Sequence, residues 1–227
     1  MAATFGRNGV SPSYAQFAGR RSVSDDLANY INVSFLVRTH QQSGLILFVG
    51  ANASVPVSSQ TFMTIELSQV GVVVKISAGD EIQTNVLPGF VADGTQHFVY
   101  VSRNYSLLQI QLDNMSEVYD VNFSLPLFPD VLYVGGMPLN TTRHRRDTYS
   151  YIRQFSGTLQ DVRVNGVLLQ PFPLNNTGED GTPASNIELP EDKLNVDVGE
   201  QSDDVCQLLQ PCENNATCHT EFYNKYR

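Results

Sequence analysis

Phe155-Ser156-Gly157-Thr158-Leu159-Gln160-Asp161-Val162-Arg163-Val164-Asn165-Gly166-Val167-Leu168-Leu169 decides the fold class of this chain. Two apolar runs flank Asn165-Gly166, and both of those residues accept a positive φ. The stretch therefore reads as two antiparallel strands joined by a two-residue turn. Upstream the same period-2 pattern recurs. Ile31, Val33, Phe35 and Val37 alternate with Asn32, Ser34 and Arg38, and Leu36 is the exception. Met63, Ile65 and Leu67, then Val72, Val74 and Ile76, then Leu108, Ile110 and Leu112 repeat it. Such alternation marks strands with one buried face. Leu45-Ile46-Leu47-Phe48-Val49 is apolar throughout and reads as a strand covered on both faces.

Turn residues separate the runs: Ser43-Gly44, Ala78-Gly79-Asp80, Asp93-Gly94, Asp113-Asn114 and Gly135-Gly136. Many short strands, regular turns and no long helical period predict an all-β sandwich between about Tyr14 and Leu169. Leu194, Val196 and Val198 alternate with polar residues and predict one last edge strand. The rest of 173–205 reads as linker. The chain of 227 residues suits one large domain plus a small one. No apolar run is long enough to cross a membrane as a helix, and residues 1–6 lack a signal-peptide pattern.

The net charge of −9 is unevenly placed. Residues 1–174 carry 11 Lys/Arg and 12 Asp/Glu, whereas 175–205 carry one Lys and nine Asp/Glu. The acidity belongs to the connecting segment, and the nearly neutral main domain has no basic field for nucleic acid. Eight Asn-X-Ser/Thr sequons occur, at Asn32, Asn52, Asn104, Asn114, Asn122, Asn140, Asn175 and Asn215. Chance would give roughly two or three, so the enrichment points to the secretory pathway and a glycoprotein. The three cysteines, Cys206, Cys212 and Cys218, are confined to the tail at even spacing. An odd number fits a chain that stops inside a disulfide-bonded module, with at least one thiol left free.

Three motifs carry a family resemblance. Asp93-Gly94-Thr95-Gln96-His97-Phe98-Val99 resembles the Asp-Gly-x-Trp-His segment of laminin G-like domains. Leu132-Tyr133-Val134-Gly135-Gly136-Met137-Pro138 resembles their Gly-Gly strand end, and the 155–166 stretch resembles their C-terminal Asn-Gly hairpin. The resemblance spans most of residues 1–200 and implies a laminin G-like, concanavalin-like antiparallel β-sandwich. Residues 206–227 resemble the N-terminal part of an EGF-like module, through Cys206-x5-Cys212-x5-Cys218 and Asn214-Asn215-Ala216-Thr217-Cys218. This pairing of modules resembles the extracellular regions of Crumbs-like and Eyes shut-like proteins. It is also similar to Slit, Fat, Flamingo-type cadherins and neurexin relatives. Gln96 replaces the family's Trp, and the family's C-terminal disulfide is missing because no Cys precedes Cys206. The sandwich must then rely on its packed core.

The resemblance implies an extracellular adhesion or polarity module that binds proteins or acidic glycans through rim loops. The rival reading is a glycosylated spacer presenting EGF-like modules. Arg143, His144, Arg145 and Arg146 form the sharpest local feature, on a loop between the Gly-Gly strand end and the final hairpin. It reads as a contact for sulfate or carboxylate groups, as an Arg-x-Arg-Arg cleavage pattern, or as ordinary surface charge. The family's calcium rim falls near Thr61 and Ala78, where the expected Asp is missing, so no metal or other cofactor is expected. Thr217 fits the O-fucose acceptor pattern of EGF-like modules. No catalytic signature emerges. Glu66 has no acidic partner on its strand face, and His40, His97, His144 and His219 are scattered.

Overall fold

In the computed structural model the described residues are 2–18, 30–51, 61–78, 81–122, 130–138, 153–173, 187–201, 206, 217–221 and 225–226. They form two packed sheets, with strands numbered in chain order. The first sheet runs β10 (Met115–Asp120), β9 (Leu107–Leu112), β8 (Gln96–Asn104), β3 (Tyr30–Arg38), β12 (Gly157–Val164), β1 (Ala2–Phe5) and β16 (Val196–Val198). Beside β12 lies β13 (Val167–Leu169), which pairs in turn with β14 (Ile187–Glu188). The second sheet runs β15 (Asp192–Leu194), β2 (Tyr14–Ala18), β11 (Val131–Val134), β4 (Gly44–Gly50), β5 (Thr61–Ser68), β6 (Gly71–Ala78) and β7 (Glu81–Pro88). All pairings within both sheets are antiparallel except β13 with β14. The expected all-β antiparallel sandwich is what the chain forms.

The period-2 residues build the core as read. Ile31, Val33, Phe35 and Val37 of β3 join Met63, Ile65 and Leu67 of β5 and Val72, Val74 and Ile76 of β6 in one buried cluster. Burying each such side chain contributes about 1.5–3 kcal/mol, against the entropy of ordering the chain.

Two registers depart from simple alternation. Pairing of β4 with β5 shifts between Leu45 and Leu47. That bulge sends Ile46, Leu47 and Val49 into the core, while Leu45 and Phe48 join Tyr14, Phe62, Tyr133 and Met137 in a second buried cluster. The run that reads as apolar on both faces is so because two apolar clusters claim it. A second bulge, with Asp161 at φ 51°, lies between Gln160 and Arg163 of β12. Leu159, Val162 and Val164 all stay buried although their spacing is three and then two. The Asn165-Gly166 turn has φ values of 47° and 79°, as its residues predict.

The last edge strand differs from expectation. At Asn195, φ 53°, the chain turns a corner, so β15 closes the edge of the second sheet and β16 that of the first. The Asn195 Nδ2 donates to Pro12 O at 2.7 Å, and the Ser13 hydroxyl donates to Asn195 O at 2.8 Å. In the tail, Cys206 and Cys218 form a disulfide of sequence separation 12, followed by a two-stranded pairing of β17 (Thr220–Glu221) with β18 (Lys225–Tyr226). Cys212 lies outside the described residues.

Phe35 is 1% exposed at the centre of this core. Phe35→Ala is expected to cost about 3–5 kcal/mol, read as a lower urea midpoint with an unchanged slope. Thiol titration of the unreduced 227-residue chain should return one free cysteine. A value of zero would contradict the pairing.

Candidate functional site

Strand direction defines two rims. At one, β3 ends at Arg38 and β4 begins at Gly44. At the other, β3 begins at Tyr30 and β4 ends at Gly50. Arg143, His144, Arg145 and Arg146 lie outside the described residues, but the two flanking segments, to Pro138 and from Arg153, are described and form two feet on the Gly44 rim. On one foot, Gly135 donates to Ile46 O at 2.8 Å. On the other, Leu45 donates to Arg153 O at 2.8 Å. The Gln154 side chain ties the feet together. Its Oε1 accepts from Met137 N–H at 3.2 Å and its Nε2 donates to Met137 O at 2.9 Å. This amide does for Met137 what a neighbouring strand would do. Gly136, at φ 150°, makes room for it, since a Cβ there would lie 2.0 Å from Gln154 Oε1.

Beside these feet opens a groove of about 400 Å³, lined by Ser43, Glu66, Ser68, Gln69, Val70 and Arg153 among others. Its two charged walls differ. Glu66 accepts from Lys75 Nζ at 2.8 Å and from the Thr64 hydroxyl at 2.7 Å, so its charge is offset. Arg153 donates to Ser43 Oγ at 3.3 Å and has no ion pair among the described residues.

On the same rim His97 sits between two carboxylates. Its Nδ1 lies 2.8 Å from Asp113 Oδ2, and its Nε2 lies 3.1 Å from Asp93 Oδ1 and 3.2 Å from Thr95 Oγ1. Burial pulls the imidazole pKa down, but the hydrogen bonds and charges of Asp113 and Asp93 outweigh it and hold the ring above its ordinary value. Burial alone raises the Asp93 carboxyl. The Thr95 N–H and hydroxyl and the His97 ring overcome that and bring it down to about 2. A hydroxyl, an imidazole and a carboxylate in a row look like a nucleophile triad. The second carboxylate changes that picture, because the Thr95 hydroxyl donates to Asp93 Oδ1 at 2.8 Å and so directs its proton away from the imidazole. The cluster is a clamp between the Asp93-Gly94 turn and the β9–β10 turn.

The remaining sequence candidates are scattered. Thr61 and Ala78 face each other across β5 and β6 near the Gly50 rim. They offer a neutral hydroxyl and backbone carbonyls, a poor charge match for a hard divalent cation. Among the described residues no group of three or more His, Cys, Asp or Glu side chains is arranged to hold a metal ion. Asn32, Asn104 and Asn122 lie toward the Tyr30 rim, and Asn114 lies in the β9–β10 turn at the Gly44 rim. Asn104, Asn114 and Asn122 are exposed and Asn32 is half-buried. Asn52, Asn140, Asn175 and Asn215 lie outside the described residues. Thr217 is exposed. Sequence reading missed Arg153 and Gln154, whose only signal was their place just after the arginine cluster. It also missed Asp113, which was read as a turn residue alone.

The clamp has a pH signature. The raised His97 value contributes stability that is fully present below its unfolded value of 6.5 and is lost as pH rises through its folded value. The depressed Asp93 value contributes stability that is present above 3.8 and is lost as pH falls towards about 2. Melting temperature should therefore be highest between those limits, and His97→Gln should flatten the decline on the alkaline side.

A laminin G domain pattern matches residues 37–167. Mouse protein crumbs homolog 1 is 27% identical over 225 residues, which cover 97% of this chain and 14% of that protein. Human protein crumbs homolog 2 is 29% identical over 222 residues, covering 96% of this chain and 14% of the relative. The chain thus spans about 14% of the length of these curated relatives. Among solved structures, domains LG4-5 of the mouse laminin alpha1 chain align with a TM-score of 0.64 at 18% identity, over 86% of this chain and 46% of that one. The LG1-3 region of the laminin alpha2 chain aligns with a TM-score of 0.61 at 21% identity, over 90% of this chain and 35% of that one. Those two likenesses speak for the fold. With the pattern covering more than half of its residues, the chain belongs to the laminin G domain family.

Proposed function

We propose that this chain is an extracellular recognition module that docks an acidic partner, a protein surface or a glycan, at its Gly44 rim. The observation that carries the reading is the anchoring of the two segments that flank the arginine cluster in the sequence. Gln154 pins both feet beside a groove whose Arg153 has a guanidinium without an ion pair among the described residues. Arg143, Arg145 and Arg146 lie between those feet in the sequence, and guanidinium forks suit carboxylate and sulfate. Asn32, Asn104 and Asn122 lie toward the opposite rim, so glycans there would leave this one accessible, whereas Asn114 stands on this rim in the β9–β10 turn. The cysteine pairing and the sequon density fit passage through the secretory pathway. Binding rather than catalysis is supported by the doubly bracketed His97 and the neutralised Glu66. A spacer role within a longer adhesion or polarity protein is the second reading, favoured by the eight sequons.

The test is binding of the secreted chain to an array of sulfated and uronic-acid glycans and acidic proteins, with and without EDTA. Changing Arg143, Arg145 and Arg146 together to Ala should weaken EDTA-insensitive binding by about tenfold or more, equivalent to about 1.4 kcal/mol. Unchanged binding in the triple variant would overturn the loop reading. Absence of any binding would favour the spacer.

A further inference from the structure

Asn32 occupies the third position of β3, on the outer face of the first sheet, between buried Ile31 and Val33. Its backbone is held on one side by Asn165, whose Oδ1 accepts from Asn32 N–H at 2.7 Å and whose N–H donates to Asn32 O at 2.8 Å. Asn165 Nδ2 also donates to Tyr30 O at 3.3 Å. On the other side Asn32 pairs with Ser102, a small residue that leaves space above the strand. The side chain is therefore aimed outward by its backbone. Two residues earlier on the same face stands Tyr30, 39% exposed. Asn32 Nδ2 donates to its hydroxyl at 3.2 Å.

An Asn amide has two N–H donors and Tyr30 engages one. N-glycosylation joins the anomeric carbon of a sugar to Nδ2. The lipid pyrophosphate of the oligosaccharide donor leaves, and Nδ2 loses one proton. The product keeps one N–H, enough for the Tyr30 hydroxyl. The first sugar then projects beside the Tyr30 side chain, which is 39% exposed. The face of its ring carries the negative side of an aromatic quadrupole, and the C–H groups of a pyranose present its complement. Ser34, the hydroxyl residue of this sequon, stands on the same face one alternation further on.

We propose that Asn32 carries an N-linked glycan whose first sugar packs against the Tyr30 ring, which makes the glycan part of the sheet's outer face. The inference is independent of the rim reading, because the surface lies toward the other rim and a different chemistry is used. It assigns Tyr30 as a positioning residue. It also distinguishes Asn32 from Asn104, Asn114 and Asn122, which lie at or beyond strand ends.

The test uses the chain secreted from mammalian cells. Enzymatic release in heavy-oxygen water, followed by peptide mass spectrometry, should find Asn32 converted to labelled Asp. Melting temperatures are then compared for the parent, Tyr30→Ala, Asn32→Gln and the double variant. Tyr30→Ala should lower the melting temperature by roughly 2–4 °C in the glycosylated background and by clearly less when Asn32 is Gln. Tyr30→Phe, which keeps the ring, should behave like the parent. Glycan release from the native protein should also be slower at Asn32 than at Asn104, a measurement that needs no variant. An unmodified Asn32 would overturn the proposal. So would equal effects of Tyr30→Ala in both backgrounds, or equal release rates at the two sites.

Discussion

The ring of Phe5 lies where a side chain at position 135 would have to be. A Cβ on Gly135 would sit 2.1 Å from that ring, and the backbone there has φ 78°. This contact joins the first sheet, through β1, to the end of β11 in the second. One residue on, Gly136 leaves the space that Gln154 fills. Phe155 follows, buried and 6.5 Å from Phe5 between ring centroids. The start of the chain, the Gly-Gly corner and the approach to the final hairpin are thus packed into one junction. No larger residue at 135 or 136 could serve it without moving backbone.

The bulges show how the sheets reconcile two demands. A strand alternates strictly, whereas β4 must serve the inter-sheet core and a second aromatic cluster outside it. One extra residue at the β4–β5 bulge lets Ile46 and Leu47 both point inward and puts Phe48 against Phe62 and Tyr133, at 5.9 and 6.1 Å between centroids. The bulge at Asp161 keeps Val162 and Val164 in phase with the core after Leu159 has used the opposite parity. Twist and closure of a sandwich are served by such local insertions.

Electrostatics at the Gly44 rim follow from which charges found partners. Lys75 neutralises Glu66, and Arg38 pairs with Glu200 at 3.1 Å. His97 is held between Asp93 and Asp113. Arg153 differs because its side-chain partner among the described residues is the Ser43 hydroxyl. Among the described residues, then, the rim carboxylates named here are offset by cations while Arg153 has no ion pair.

The sequence by itself determined the fold class, the strand faces and the turn at Asn165-Gly166, because side-chain period and positive-φ residues are local properties. Its three short motifs pointed to the laminin G family for the same reason, since each records a local backbone demand. Only the tertiary structure decided the rest. Asn195 splits the expected edge strand because the sheets close at different edges there, which no period encodes. Asp113 meets His97 from sixteen residues away, and Gln154 meets Met137 across the base of a loop. Tyr30 meets Asn32 because an extended backbone puts i and i+2 on one face. That spacing was visible in the chain, but which face was left uncovered was settled by how the two sheets pack.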